Sequence, residues 1–191
     1  MARIPYADRG TLDDPSLLDS STPPEELDPA YQHLMEDRAR NSYRLLGHRP
    51  TILRTYRDLV DRIKSDGGLS LAEQEYAILC CAREIPSPYE WHNHVRIALN
   101  AGVPAEEIRA IGARNYGAFE PAHEALLEYV ARFIDGRIDD AHHAALADHY
   151  DAGTIAAIGV FAGYWLMNAR LVDALGIECE EEFVGWALDN V

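Results

Sequence analysis

From Pro29 onward, apolar residues recur at helical spacing along almost the whole chain. Tyr31 to Leu46 reads as a first helix, ended by Gly47 and followed by His48-Arg49-Pro50. Thr51 to Lys64 reads as a second, with Ile52, Leu53, Tyr56, Leu59, Val60 and Ile63 on its apolar side. Asp66-Gly67-Gly68 marks a turn, and Ser70-Leu71-Ala72-Glu73 has the form of a capping box opening a third helix that runs to about Glu84. After the break at Ile85-Pro86-Ser87-Pro88, a fourth helix extends to Gly102. Further helices are predicted over Pro104 to Arg114, Pro121 to Asp135, Asp139 to Tyr150 and Ala152 to Leu175. No stretch alternates as a strand would. The expected class is all-α, one helical domain over 30–191 behind an irregular arm over 1–29. A faint echo, Asp66-Gly67-Gly68-Leu69 against Asp135-Gly136-Arg137-Ile138, hints at a duplicated helical unit.

The arm holds five of the ten prolines, which excludes a long helix there. Its apolar residues Ile4, Tyr6, Leu17, Leu18 and Leu27 are suited to docking on the body or on a neighbouring subunit. A net charge of −15 over 191 residues argues against nucleic acid and anionic lipid as partners. The three cysteines, Cys80, Cys81 and Cys179, form no C-x-x-C; the first two read as buried free thiols, consistent with a reducing cytoplasm. Ala152 to Ala169 is uncharged and brushes the length of a membrane span, but it is rich in Ala and closely bracketed by Asp151, Arg170 and Asp173. It reads instead as a central buried helix, with Gly159 and Gly163 permitting close contact.

The chemistry concentrates in Ser87-Pro88-Tyr89-Glu90-Trp91-His92-Asn93-His94. Glu90 and His94 are one turn apart on the same side of a helix, a natural proton-transfer unit. The same residues have a structural reading: Ser87, Pro88 and Glu90 occupy N-cap, N1 and N3 of a capping box, and His94 shares the apolar stripe of Trp91, Val95 and Ala98. His92 and Asn93 fall with Arg96 and Asn100 on a polar side expected to face solvent. His92-x-His94 is a poor metal pair, since the two side chains diverge by about 200° on a helix. His142, His143 and His149 read as surface residues, and no metal site is expected. Tyr89, Trp91, Tyr164 and Trp165 suit the core or an aromatic pocket lining, and Tyr164 and Asn168 are one turn apart.

Glu75, then Ser87-x-Tyr89-Glu90-Trp91-x-x-His94, then Ala98-x-x-Ala101-Gly102-Val103, resembles the carboxymuconolactone decarboxylase and alkylhydroperoxidase-like (AhpD-like) superfamily. Leu126-Leu127-Glu128-Tyr129 and Gly163-Tyr164-Trp165-x-x-Asn168-x-Arg170-Leu171 extend the likeness over roughly residues 30 to 180. The resemblance implies an all-helical fold and assembly as a homotrimer or homohexamer, and it adds Glu75 to His94 and Glu90 as the expected catalytic set; Tyr89, Trp91, Tyr164 and Asn168 are the residues expected near the substrate. The peroxidase branch carries a C-x-x-C where this chain has Ser87 and Glu90, and neither residue supplies a peroxidatic or resolving thiol.

The expected function is therefore a decarboxylase or lyase working without cofactor on a small carboxylated lactone or β-keto acid. His94 is expected to be the acid, with Glu90 or Glu75 setting its tautomer. The alternatives are a peroxide-reducing enzyme, which would have to use Cys80 or Cys81, and a non-catalytic oligomeric binding protein.

Overall fold

The computed structural model describes residues 1–19 and 40–190. The part of the first expected helix before Arg40, and Leu27 of the arm, lie outside the described residues. Eight α-helices follow Arg40: α1 (Asn41–Leu46), α2 (Pro50–Asp66), α3 (Leu71–Glu84), α4 (Pro88–Asn100), α5 (Ala105–Gly112), α6 (Pro121–Asp135), α7 (Asp140–Ala147) and α8 (Ala152–Leu175). Among the described residues there is no strand.

The helix boundaries follow the punctuation of the sequence. Proline occupies the first turn of α2, α4 and α6, where the missing N–H has no intrahelical partner to lose. Asp139 and Asp151 cap α7 and α8 by accepting backbone N–H groups. Gly176 closes α8 in the left-handed conformation, with φ of 64°, which a side chain would disfavour.

The centre of the fold is α3. It is buried continuously from Gln74 to Ala82, and α4, α5, α6 and α8 pack around it. A helix apolar on nearly every side must be enclosed in this way. The expectation that Ala152 to Ala169 would be the central helix is corrected here. One face of α8 packs inward through Ile158, Phe161, Ala162 and Trp165, while Val160 and Met167 remain exposed. By length and composition α8 could cross a membrane, but half of its most apolar window is buried inside the protein.

The described part of the arm docks on this body. Leu17 and Leu18 pack with Ala7, Leu12 and Leu53, and the Arg3 N–H donates to the Leu175 carbonyl at 2.8 Å. Ile4 stays exposed.

Residues 178–190 form a C-terminal strap across the outer face of α4. The Trp91 indole donates to the Gly185 carbonyl at 3.0 Å, the Val184 N–H donates to His92 Nδ1 at 3.3 Å, and Arg96 pairs with Glu181 at 2.6 Å. This strap overturns the expected exposure of His92 and Arg96, both of which are buried. Asn93 is buried too, but at the cavity, where it accepts from Arg40 and donates to the Tyr89 carbonyl; the chain's own tail covers only part of the face that the helical period grouped.

The strap lies close to Gly112 at the end of α5. A Cβ at this position would collide with the Trp186 carbonyl oxygen and sit 3.3 Å from the Trp91 ring. Gly112→Ala is expected to cost about 1–3 kcal/mol, read as a lower urea midpoint. The Trp emission of the folded state should shift as well, because Trp91 and Trp186 pack at a tilt of 50°, with centroids 5.3 Å apart, beside this residue.

Candidate active site

The second Ser-x-x-Glu sequence behaves differently from the first. At α3 the capping box is complete: Ser70 Oγ accepts from the Glu73 N–H, and Glu73 Oε2 accepts from the Ser70 N–H at 2.8 Å. At α4, Ser87 Oγ accepts from the Glu90 N–H at 3.5 Å, but the Ser87 N–H bonds to the Ala82 carbonyl at 2.9 Å. The turn through Ile85 and Pro86 thus satisfies the donor that Glu90 would otherwise have bonded. The Glu90 carboxyl is left to face inward.

It faces a cavity of about 70 Å³ bordered by α2, α4, α8 and the segment around Arg40 to Tyr43. That is room for several waters or one compact organic molecule. His94, Glu90, Tyr164, Trp165 and Asn168 all line it. Tyr89 borders it too, with its hydroxyl committed to Glu180 at 2.9 Å and Ser42 Oγ at 3.3 Å. Trp91 is not among the lining residues; its indole packs against Trp186 and donates to the Gly185 carbonyl instead. A step of three residues turns it about 60° round the helix from His94, which takes it out of the cavity.

Glu75 on α3 lies behind His94. It is buried, 3% exposed. Its Oε2 is 2.7 Å from His94 Nδ1, and its Oε1 is 3.6 Å from Lys64 Nζ. Burial works to raise the Glu75 pKa, but His94 and Lys64 outweigh it and hold the carboxyl below its usual range. Burial likewise holds the His94 imidazole below its ordinary value, against the opposing pull of Glu75. A carboxylate facing a neutral ring fixes the tautomer: Nδ1 carries the proton and donates it to Glu75. The lone pair is therefore on Nε2, on the side of Glu90, whose Oε2 lies 3.9 Å away. The ring is wedged edge-on against Trp165, with centroids 4.6 Å apart.

Glu90 is in the opposite state. Burial pushes its pKa up to about 8, opposed by the charge of Arg40 and a hydrogen bond from Asn168. Its Oε1 is buried with no hydrogen-bond partner. At neutral pH this carboxyl holds its proton, while His94 next to it is an unprotonated base. Two titratable groups driven apart by their surroundings are a recurring mark of a site that moves protons.

Tyr56 and Lys64 are among the lining residues that escaped sequence reasoning. The Tyr56 hydroxyl donates to Asn168 Oδ1 and its ring meets Tyr164 at 4.9 Å. Lys64 reaches Glu75 from the same helix. Tyr56, Val60 and Lys64 all line the cavity, and their spacing of four places them on one side of α2. That spacing is a visible signal, masked because Tyr56 and Val60 also fit an apolar core stripe. Cys80 and Cys81 do not line the cavity. They are buried in α3, where burial pushes Cys80 up to about 12 and Cys81 well above the ordinary thiol value. Among the described residues no group of three or more His, Cys, Asp or Glu is placed to hold a metal ion.

Residues 50–132 match the model of the carboxymuconolactone decarboxylase family. The structure is similar to the alkylhydroperoxidase AhpD core of an uncharacterized peroxidase-related protein from Ralstonia eutropha JMP134, with a TM-score of 0.68. Sequence identity is 18%, and the match covers 89% of this chain and 96% of that one. No curated protein matches the sequence. The protein has the all-α AhpD-like fold, and Glu75, Glu90 and His94 all lie within the segment that matches the carboxymuconolactone decarboxylase family model.

The buried Glu90 makes stability depend on pH in a specific direction. Its folded pKa lies above the usual 4.5, so the stability it lends is complete below the unfolded value and is lost as pH rises toward 8. His92 and His94, both held below 6.5, act oppositely: stability rises with pH up to that value in wild type and variant alike. Glu90→Gln removes only the first effect. Its stability advantage over wild type is expected to grow between pH 6.5 and 8 by up to ~1.4 kcal/mol per pH unit, read from urea unfolding across that range.

Proposed function

We propose that the protein is an acid–base enzyme of the decarboxylase or lyase type, acting on a small carboxylated lactone or β-keto acid. The observation that carries this reading is a buried imidazole base and a buried protonated carboxyl facing one cavity, with His94 Nε2 and Glu90 Oε2 3.9 Å apart. In such a reaction the bond to the substrate carboxylate breaks, carbon dioxide leaves, and the electron pair moves to the carbonyl oxygen as an enolate. The enolate carbon then takes a proton.

The electrostatics exchange the roles expected from sequence. Glu90 is the group that holds a proton at neutral pH and delivers it. His94, kept in one tautomer by Glu75, takes a proton at Nε2 from the cavity and passes it to Glu90, resetting the site. The imidazolium formed on the way is stabilised by the Glu75 carboxylate. Lys64, beside Glu75 at the cavity edge, is placed to offset the charge of a carboxylated substrate. The proton traffic is handled by these side chains alone, so the reading calls on no cofactor.

The related fold of a peroxidase-related protein keeps thiol chemistry as a competing reading. A thiolate is the attacking species in that chemistry, and Cys80 and Cys81 are both held as thiols by burial. The self-association expected from the family resemblance stands as a further part of this reading, supported by the apolar Val160 and Met167 exposed on α8. Sedimentation velocity checks it, and a monomer at micromolar concentration refutes it.

His94→Gln is expected to lower turnover of the true substrate by ~10²–10⁴-fold with the circular dichroism spectrum unchanged. Turnover in wild type should fall as pH rises through about 8, where Glu90 loses its proton. A variant with Cys80, Cys81 and Cys179 all replaced by Ser is expected to keep that turnover. Its loss in a folded variant would favour the peroxide reading.

A further inference from the structure

His94 Nε2 and Glu90 Oε2 are close without being bonded. At 3.9 Å they are beyond hydrogen-bond distance, and neither can move easily toward the other. His94 is tied to Glu75 at 2.7 Å and wedged against Trp165. Glu90 is held by the helix and by the Asn168 amide. The amide is itself oriented: the Tyr56 hydroxyl donates to Asn168 Oδ1, which turns the amide N–H₂ toward Glu90. Among the described residues, Glu90 Oε1 has no hydrogen-bond partner. The site therefore holds an acid and a base side by side and prevents them from neutralising each other. A ligand that satisfies both must present a proton to Nε2 and an acceptor oxygen to the carboxyl, separated by only a few bonds. A carbonyl compound with an acidic hydrogen on the adjacent carbon meets that description, and Trp165 and Tyr164 in the lining supply apolar surface for it.

We propose that this cavity catalyses enolisation of small ketones and keto acids, as an activity separate from decarboxylation. The proposal rests on the acid–base reading of the site but needs no scissile carboxylate. The α-carbon–hydrogen bond breaks and its proton goes to His94 Nε2. The electron pair forms the carbon–carbon double bond, and the carbonyl oxygen takes the Glu90 proton to give the enol. His94 then carries the extra proton, with Glu75 as its counter-ion, and Glu90 is a carboxylate. Transfer from Nε2 to Oε2 through a cavity water restores both groups with no other reactant. Ketonisation runs the same steps backward. Tyr56 acts as a positioning residue, through Asn168, and touches no reacting atom.

Pyruvate and levulinate are suitable probes, because neither can lose carbon dioxide through an enolate. In D₂O, proton NMR should show their α-hydrogens exchanging at least tenfold faster with wild-type protein than with an equal amount of His94→Gln. Glu90→Gln, nearly isosteric and expected to fold well, should show a comparable loss, which keeps the test valid if the histidine variant is unstable. Tyr56→Phe should fall partway and change the pH dependence of exchange, since Asn168 is freed to turn. Exchange of neither ketone above the level of the variants overturns the proposal. Release of labelled carbon dioxide from acetoacetate is measured in parallel. Decarboxylation without exchange refutes enolisation and leaves the proposed function standing; exchange without decarboxylation does the reverse.

Discussion

The contact between Glu75 on α3 and His94 on α4 is the constraint around which the rest is arranged. A carboxylate buried at 3% exposure is tolerable only with partners, and removing one partner of such a pair typically costs 3–5 kcal/mol. The 2.7 Å bond to Nδ1 and the nearby Lys64 ammonium supply those partners. In doing so they dictate the tautomer of the ring and turn Nε2 to the cavity. They also fasten together the central helix and the helix that carries the motif. Structural support and site geometry are here the same interaction.

A rigid α4 follows from what lies on its other face. Trp91, His92 and Arg96 are each bonded to the C-terminal strap, while Tyr89, through Ser42 and Glu180, ties the start of the helix to α1 and to the strap. The helix is thereby clamped between the cavity and the tail of its own chain. Polar residues buried on both sides need many hydrogen bonds, and among the described residues those of α4 are unmet at Glu90 Oε1, His92 Nε2 and Arg96 Nε. Of these three residues, Glu90 is the one that lines the cavity. Burying it raises its pKa, and that raised pKa makes it a proton donor at neutral pH.

The helices were legible because prolines, glycines and capping residues mark their ends locally: six of the eight both begin and end within two residues of the expected positions. The site was legible in part. Glu90 and His94 share a helix face by spacing alone, and Glu75 was reached through the family resemblance. Spacing did not show which of two Ser-x-x-Glu sequences would complete its capping box, because the answer depends on whether Ser87 N–H meets a carbonyl from the preceding helix. Nor did it show that Tyr56 and Lys64 border the cavity, since an apolar stripe looks the same whether it faces a core or a pocket.

By itself, the sequence determined the all-α class, the helix boundaries, the pairing of Glu90 with His94 on one face and the burial of Cys80 and Cys81. These depend on hydrophobic periodicity and on caps, which act over a few residues. Only the tertiary structure decided that α3 rather than α8 is the central helix, that the polar face bearing His92 and Arg96 is covered by residues 178–190, and that Trp91 points away from the cavity. It also decided the protonation states, with Glu90 the acid and His94 the base. The physical reason is that burial and charge pairing depend on which distant segments meet, such as Glu75 against His94 or Val184 against His92, and periodicity within one helix carries no record of that.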